Sequence, residues 1–346
     1  MTVLENIVGE HAERSAALWA QRDSLALDDP PDLETVRAID DRLEINLDGL
    51  RAAGLAAWPC VLALDEEAPG KGELFVMAWT ALEFETADHV AKVVEIGRTA
   101  IDGPGGLLGA LAWHEPRKIA AWARTWIDEG DSFKRLLGMS ACLAHGVDPK
   151  QVLLQRLRDP DTSVRIVSLR LAAKLRRADL TAEIANALTD EDQQVRFWAA
   201  WTLNELGQSG PGLAELRRTV ERDDLNAVVA LRAVVKATPV KEVRSWIGTL
   251  LRLPQSAAFG VRAAGMLGDR AILPWLIEQM GDPAVAEAAG ASLLELFPEA
   301  RLAGDLFTND PDAAGTHFTE YFGDRIARVP LKDGVLKWAR RQGYVQ

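Results

Sequence analysis

Apolar residues recur along most of the chain at intervals of three and four, the spacing that lines one face of an α-helix. Alternating runs of Val, Ile, Thr and aromatics are nearly absent, and no Asn-Gly or Asp-Gly pair joins two such runs as a hairpin turn would. The pattern predicts an all-α protein. Near the start, Leu4, Ile7, Val8, His11, Ser15 and Leu18 share one helical face, and Val36, Ile39, Leu43, Leu47 and Leu50 share another, with Asp28-Asp-Pro-Pro31 between them. Two antiparallel helices are expected there. Gly54 is placed to end the second, Trp58-Pro59 to redirect the chain, and further helices are expected around Glu73 to Glu85 and Ala87 to Ala100.

Beyond residue 100 the pattern repeats. Asp159-Pro-Asp-Thr-Ser-Val164-Arg165 returns 31 residues later as Asp190-Glu-Asp-Gln-Gln-Val195-Arg196. Copies starting at Ser132, Val164, Val195, Val228, Ser256 and Val285 are separated by 32, 31, 33, 28 and 29 residues, each enough for two short helices and their turns. Each copy reads as one helix, a short turn, and a second helix that an Asp of the turn can cap. This predicts a solenoid of helix pairs, its terminal apolar faces requiring caps. The expected organisation is an N-terminal helical cap over 1–100, a repeat array over 101–297 and a C-terminal helical cap over 298–346.

Asp159-Pro160 with Val164-Arg165, Asp190 with Val195-Arg196, Met266-Leu-Gly-Asp269 and Gly281-Asp-Pro283 resemble the short HEAT-like repeats associated with bilin lyases. The resemblance covers roughly 100 to 297 and implies an α-solenoid, while being nearly silent about function. It also implies that Arg165 and Arg196 meet Asp159 and Asp190 in a ladder that fixes repeat stacking. In the leader, His11-Ala-Glu13, Leu18-Trp-Ala-Gln-Arg22, Ile39-Asp-Asp-Arg42 and Leu47-Asp-Gly-Leu-Arg-Ala-Ala-Gly54 resemble the start of a bacterial family built on such repeats and often encoded beside type VI secretion genes. That resemblance implies a cytoplasmic accessory of a secretion or effector cluster, with no assigned reaction.

Composition narrows the function classes. Of 51 acidic and 39 basic residues, 20 acidic and 8 basic lie in the first hundred positions, so the net charge of −12 resides entirely in the leader. Acidity disfavours nucleic acid as a partner unless a local basic surface compensates. The longest apolar run, Leu55 to Leu64, is interrupted by Pro59 and falls well short of the roughly 20 residues that cross a bilayer. The N-terminus shows no export signal, which makes the cytoplasm the expected location. Cys60 and Cys142 have no CxxC partner and read as small buried hydrophobes. No metal, cofactor or catalytic residue is assigned: the five histidines are scattered, Pro116 follows His114-Glu115, Gly138-Met-Ser-Ala-Cys142 lacks the closing glycine of a nucleophile elbow, and Gly103-Pro-Gly-Gly106 lacks the Lys of a phosphate loop.

Two groups of residues remain as candidates. His11, Arg22 and Asp40 lie on or beside the leader's apolar stripes and are expected to form a polar network, because a buried charge without a partner costs several kcal/mol. In the helix from Val195, the residues Val195, Ala199, Thr202, Leu203 and Leu206 define a core face, with Phe197 and Trp201 nearly opposite and Trp198 on the flank. Exposed on the inner surface of the array, this aromatic group reads as a protein-binding site unless a terminal segment covers it. The expected function is a non-enzymatic scaffold or adaptor. The alternative is a HEAT-like DNA-binding enzyme such as an alkylpurine DNA glycosylase, suggested by eight basic against three acidic residues between Lys150 and Leu180. Solvated helix faces would explain the same cluster.

Overall fold

The structure, a computed structural model, describes residues 5–64, 69–222 and 225–346; Leu4 lies outside them. Contacts divide the chain into two compact units, residues 1–202 and 203–346. The sequence period changes at about 100 and 297, and the contact division coincides with neither.

In the first unit α1 (Glu5–Ala26) packs on α2 (Leu33–Ala53). The Asp32 carboxylate caps α2 by accepting from the Thr35 N–H at 3.2 Å, and Gly54 ends it at φ 64°. All five apolar positions expected of α2 are buried. Along α1 the buried stripe is Val8, Ala12, Ser15, Ala16, Leu18 and Trp19, whereas Ile7 is exposed. The stripe includes the small residues Ala12 and Ala16, which a search for large apolar residues overlooks.

The centre of this unit is α4 (Lys71–Glu83), whose residues from Leu74 to Leu82 are all buried. A helix apolar on every side needs neighbours on every side. Those neighbours are α1, α3 (Ala57–Leu62), α5 (Ala87–Thr99) and α6 (Gly105–Trp113). Gly72 faces the Ala16 carbonyl with no room for a Cβ, and Gly109 lies against the Trp19 indole in the same way. Trp19 stacks on Phe75 at 4.8 Å, and Trp113 meets Phe75 edge-on. The same apolar cluster continues into α7 (Pro116–Trp126) and α8 (Ser132–His145) through Ile119, Trp126, Leu137 and Ala141, so leader and first repeat share one core.

Helix pairs come next: α9 (Gln151–Arg156) with α10 (Thr162–Lys174), then α11 (Thr181–Asn186) and α12 (Gln193–Glu205). The second helix of each pair begins within two residues of a repeat start read from the sequence. The Thr202 hydroxyl donates to the Leu169 carbonyl at 2.9 Å, tying α12 to α10 through a buried bond.

The second unit continues the pairs as α13 (Ser209–Glu221) with α14 (Ala227–Ala237), α15 (Val240–Leu250) with α16 (Ala257–Met266), and α17 (Leu273–Gln279) with α18 (Ala286–Leu296). Here Ser292 of α18 donates to the Val261 carbonyl of α16 at 3.1 Å, repeating the Thr202–Leu169 link. The C-terminal segment is not wholly helical. Phe307–Thr308 pairs antiparallel with Val329–Pro330 as a two-residue ribbon around α19 (Thr316–Phe322), and α20 (Lys332–Arg341) closes the segment. Phe297 receives Trp338 and Tyr344 at 5.9 and 4.8 Å, which seals the last helix pair.

Candidate functional site

The second helix of each pair in the first unit's repeats begins alike. Asp131 caps α8 through the Phe133 N–H, Asp161 caps α10 through Ser163 and Val164, and Asp192 caps α12 through Gln194 and Val195. Four residues after each Asp stands an arginine, one helical turn along and therefore back over the capped end. Its Nη1 donates to two carbonyls of the turn the helix has just left: Arg135 to Glu129 and Gly130 at 3.1 and 2.8 Å, Arg165 to Asp159 and Pro160 at 2.9 and 3.1 Å, Arg196 to Asp190 and Glu191 at 2.8 and 2.9 Å. The other edge of the guanidinium crosses to the next turn. Arg135 holds both Asp159 oxygens at 2.8 Å, and Arg165 Nη2 lies 3.2 Å from an Asp190 oxygen. Arg196 reaches Asp190 through the backbone carbonyl rather than the carboxylate.

Burial opposes ionisation of Asp159, but Arg135, the Asp161 N–H and Arg156 outweigh it and hold the carboxyl below its ordinary pKa. Arg135 was not among the residues singled out from the sequence, because its copy begins Ser-Phe-Lys-Arg rather than with Val-Arg. The signal was present in a different place: Asp131 and Arg135 have the spacing of Asp161 and Arg165.

On α12 the expected exposure of Phe197 is wrong: the ring is fully buried. Ala200 and Asn204, within about 60 degrees of Phe197 at 100 degrees per residue, are buried as well. A helix of a stacked array is covered on its flanks as well as its core face, so one apolar stripe does not define its buried arc. Trp198 and Trp201 are half-buried and meet edge to face at 5.3 Å, with Phe197 packed on Trp198 at 4.9 Å. Over the Trp198 ring, at 4.6 Å, lies the guanidinium of Arg170 from α10. Arg170 and Trp201 each stand nine residues after the capping aspartate of their helix. That equality of position was legible, though arginine and tryptophan do not look like copies of each other.

In the leader, Arg22 Nε donates to Asp40 at 3.0 Å with both side chains about one-third exposed, and the guanidinium lies 5.8 Å from the Trp113 ring. His11 does not join them; its Nδ1 pairs with Asn46 Oδ1 at 3.1 Å, and its ring fills the space above Gly49. A more deeply buried polar group lies elsewhere. Glu83 accepts from Arg51 at 2.9 Å and Lys118 at 2.8 Å, with His114 Nδ1 3.5 Å away. His114 Nε2 lies 3.1 Å from the Trp79 carbonyl while its ring stacks on Trp79. Burial drives the His114 pKa down to about 4 against that hydrogen bond and the Glu83 charge. Cys142 is buried with its pKa pushed up to about 11 by desolvation, while Cys60 is half-buried rather than buried.

The basic residues between 150 and 180 are largely neutralised. Arg156 pairs with Asp159 and Asp128, Arg158 with Glu183, Arg165 with Asp190, and Arg177 with Asp148 and Asp179. The Arg158–Glu183 and Arg165–Asp190 pairs border an open cleft of about 820 Å³ whose lining also includes Asp159 and Asp192. Among the described residues no cluster of His, Cys, Asp and Glu could hold a metal ion, and no helix is long and apolar enough to cross a membrane.

Residues 151–252 match the family described as HEAT repeats, and with the helix-pair architecture on both sides of that match the chain is an all-α, HEAT-like repeat protein. A comparison with curated proteins found no match. HEAT repeats suggest an interaction scaffold, since stacked helix pairs present extended surfaces to partners.

Proposed function

We propose that this protein is a non-enzymatic scaffold that binds another protein through the surface of α12 bearing Trp198 and Trp201. The observation that carries this reading is the half-exposure of two adjacent tryptophans on a helix otherwise buried from Val195 to Asn204, save the flanking Arg196. Tryptophan left partly open to water keeps apolar area that a partner can cover, and such residues dominate binding energy at interfaces. The groups with the most displaced pKa values support a structural role, because His114, Cys142 and Glu295 are each held in packing or ion pairs. In its finer form the proposal is an adaptor or immunity-type accessory of a type VI secretion cluster, which rests on the leader motifs alone.

The reading predicts that a partner recovered by affinity purification from the native host, then purified, binds the Trp198→Ala/Trp201→Ala variant at least tenfold more weakly, about 1.4 kcal/mol. Phe197 stays untouched, since its removal would disturb the core. A folded double variant that binds with unchanged Kd sinks the assignment of this face. An immunity role further requires that co-expression rescue growth from the partner's toxicity, whereas an adaptor leaves it unchanged. The alternative DNA-binding enzyme needs a track of unneutralised cations, and the carboxylate partners of Arg156, Arg158, Arg165 and Arg177 weigh against it.

A further inference from the structure

Most arginines between residues 135 and 177 meet a carboxylate, as Arg135, Arg156, Arg158, Arg165 and Arg177 do. Arg170 has no carboxylate partner among the described residues, and its contact is the face of Trp198 at 4.6 Å. Held over that ring and without a carboxylate of its own, the guanidinium keeps N–H donors that can receive a carboxylate through two parallel bonds. Water reaches this side chain, yet the surrounding protein still depresses its pKa by desolvation. Lys174, one turn further along α10, is engaged elsewhere, its Nζ donating to the Ala144 carbonyl of α8 at 2.8 Å, so the charge at this place is that of Arg170. Beyond Trp198 the edge-to-face contact with Trp201 supplies the adjoining apolar surface.

We propose that Arg170, Trp198 and Trp201 form a receptor for an acidic peptide segment, one Asp or Glu carboxylate seated on the Arg170 fork and a neighbouring apolar side chain against Trp201. This inference rests on the protein-binding reading above and specifies the partner's chemistry. Charge complementarity selects the occupant. The acidity of the whole chain belongs to its first hundred residues, and positions 101–346 carry 31 acidic and 31 basic residues, so the part of the chain that bears the receptor has no net negative charge to repel a carboxylate. A single guanidinium on a tryptophan face matches one carboxylate, whereas a nucleic-acid backbone is held by several cations in a row.

The test pans a phage-displayed library of random dodecapeptides on the purified full-length protein, with Arg170→Gln, Arg170→Glu and Trp201→Ala in parallel. Binding of the enriched peptides is then read by fluorescence polarisation, and a labelled oligothymidylate serves as the nucleic-acid probe. The expected result is enrichment of Asp or Glu next to an apolar residue, affinity at least tenfold lower for R170Q and W201A, and selection of Lys or Arg by R170E. Dichroism must show that each variant is folded; Arg170 is exposed, so its replacement leaves the core alone. Peptides without acidic preference that lose binding to W201A but not to R170Q overturn this inference and leave the protein-binding face standing. Peptides that bind R170Q and W201A as they bind wild type overturn both. Failure to enrich any peptide, or oligothymidylate binding that depends on Arg170 in place of peptide binding, also overturns the proposal.

Discussion

Arg135→Ala is expected to cost the first unit about 3 kcal/mol, the lower part of the range for breaking a buried ion pair by removing one partner. The Asp159 side chain has no exposed surface, and Arg135 supplies two of its hydrogen bonds at 2.8 Å. Truncation would leave a buried carboxylate with only Arg156 at 3.1 Å and the Asp161 N–H, also at 3.1 Å, and would free the Glu129 and Gly130 carbonyls from their shared donor. Those remaining bonds are the reason for choosing the lower figure. Arg158→Ala provides the contrast, since Arg158 also holds a carboxylate, Glu183, through two bonds but is itself open to water. No measurable loss is expected there, because solvent screens the pair. Equilibrium urea unfolding followed by far-ultraviolet dichroism compares the two variants. If Arg135→Ala costs no more than Arg158→Ala, burial is not what gives the ladder its strength.

The ladder shows which features of a repeat protein can be read from one sequence. Its spacing is local: a capping Asp and an Arg four residues on are fixed by helix geometry, so Asp161 with Arg165 and Asp192 with Arg196 announce themselves. Stacking then brings Arg165 to Asp190, 25 residues on, as it brings Arg135 to Asp159, 24 residues on. Phe197 could not be placed in this way. Its angle on the helical wheel is correct, but what covers that side is supplied by packing beyond the helix, and a wheel drawn for one helix treats everything outside the apolar stripe as solvent. The leader is harder still, having no period. Glu83 meets Arg51 of α2, Lys118 of α7 and His114 of the turn between α6 and α7 from separations of 32, 35 and 31 residues. No spacing rule links those positions. By contrast Arg22 and Asp40 lie on consecutive helices, where a polar residue beside each apolar stripe is enough to suggest the pair.

His114 should make the protein lose about 3 kcal/mol of stability between pH 6.5 and pH 4. In the unfolded chain its imidazole protonates near 6.5, while in the fold burial lowers the pKa to about 4. Between these values the unfolded state binds the extra proton and the native state does not, so stability falls as pH falls. The loss starts as pH drops through 6.5 and is complete near 4; at about 1.4 kcal/mol per tenfold change in proton concentration the interval gives the stated figure. Glu83 also has a lowered pKa, so its contribution is lost on the acidic side of the ordinary carboxylate range and adds to the decline at lower pH. His114→Gln separates the two effects: the amide can still donate to the Trp79 carbonyl, but it does not titrate. The variant should be less stable at neutral pH and should show a flatter profile from pH 6.5 to 4.5, measured by urea unfolding at each pH. Parallel profiles for wild type and variant would mean that the folded protein accepts the proton on His114 readily, with Glu83 at 3.5 Å stabilising the imidazolium more than burial disfavours it.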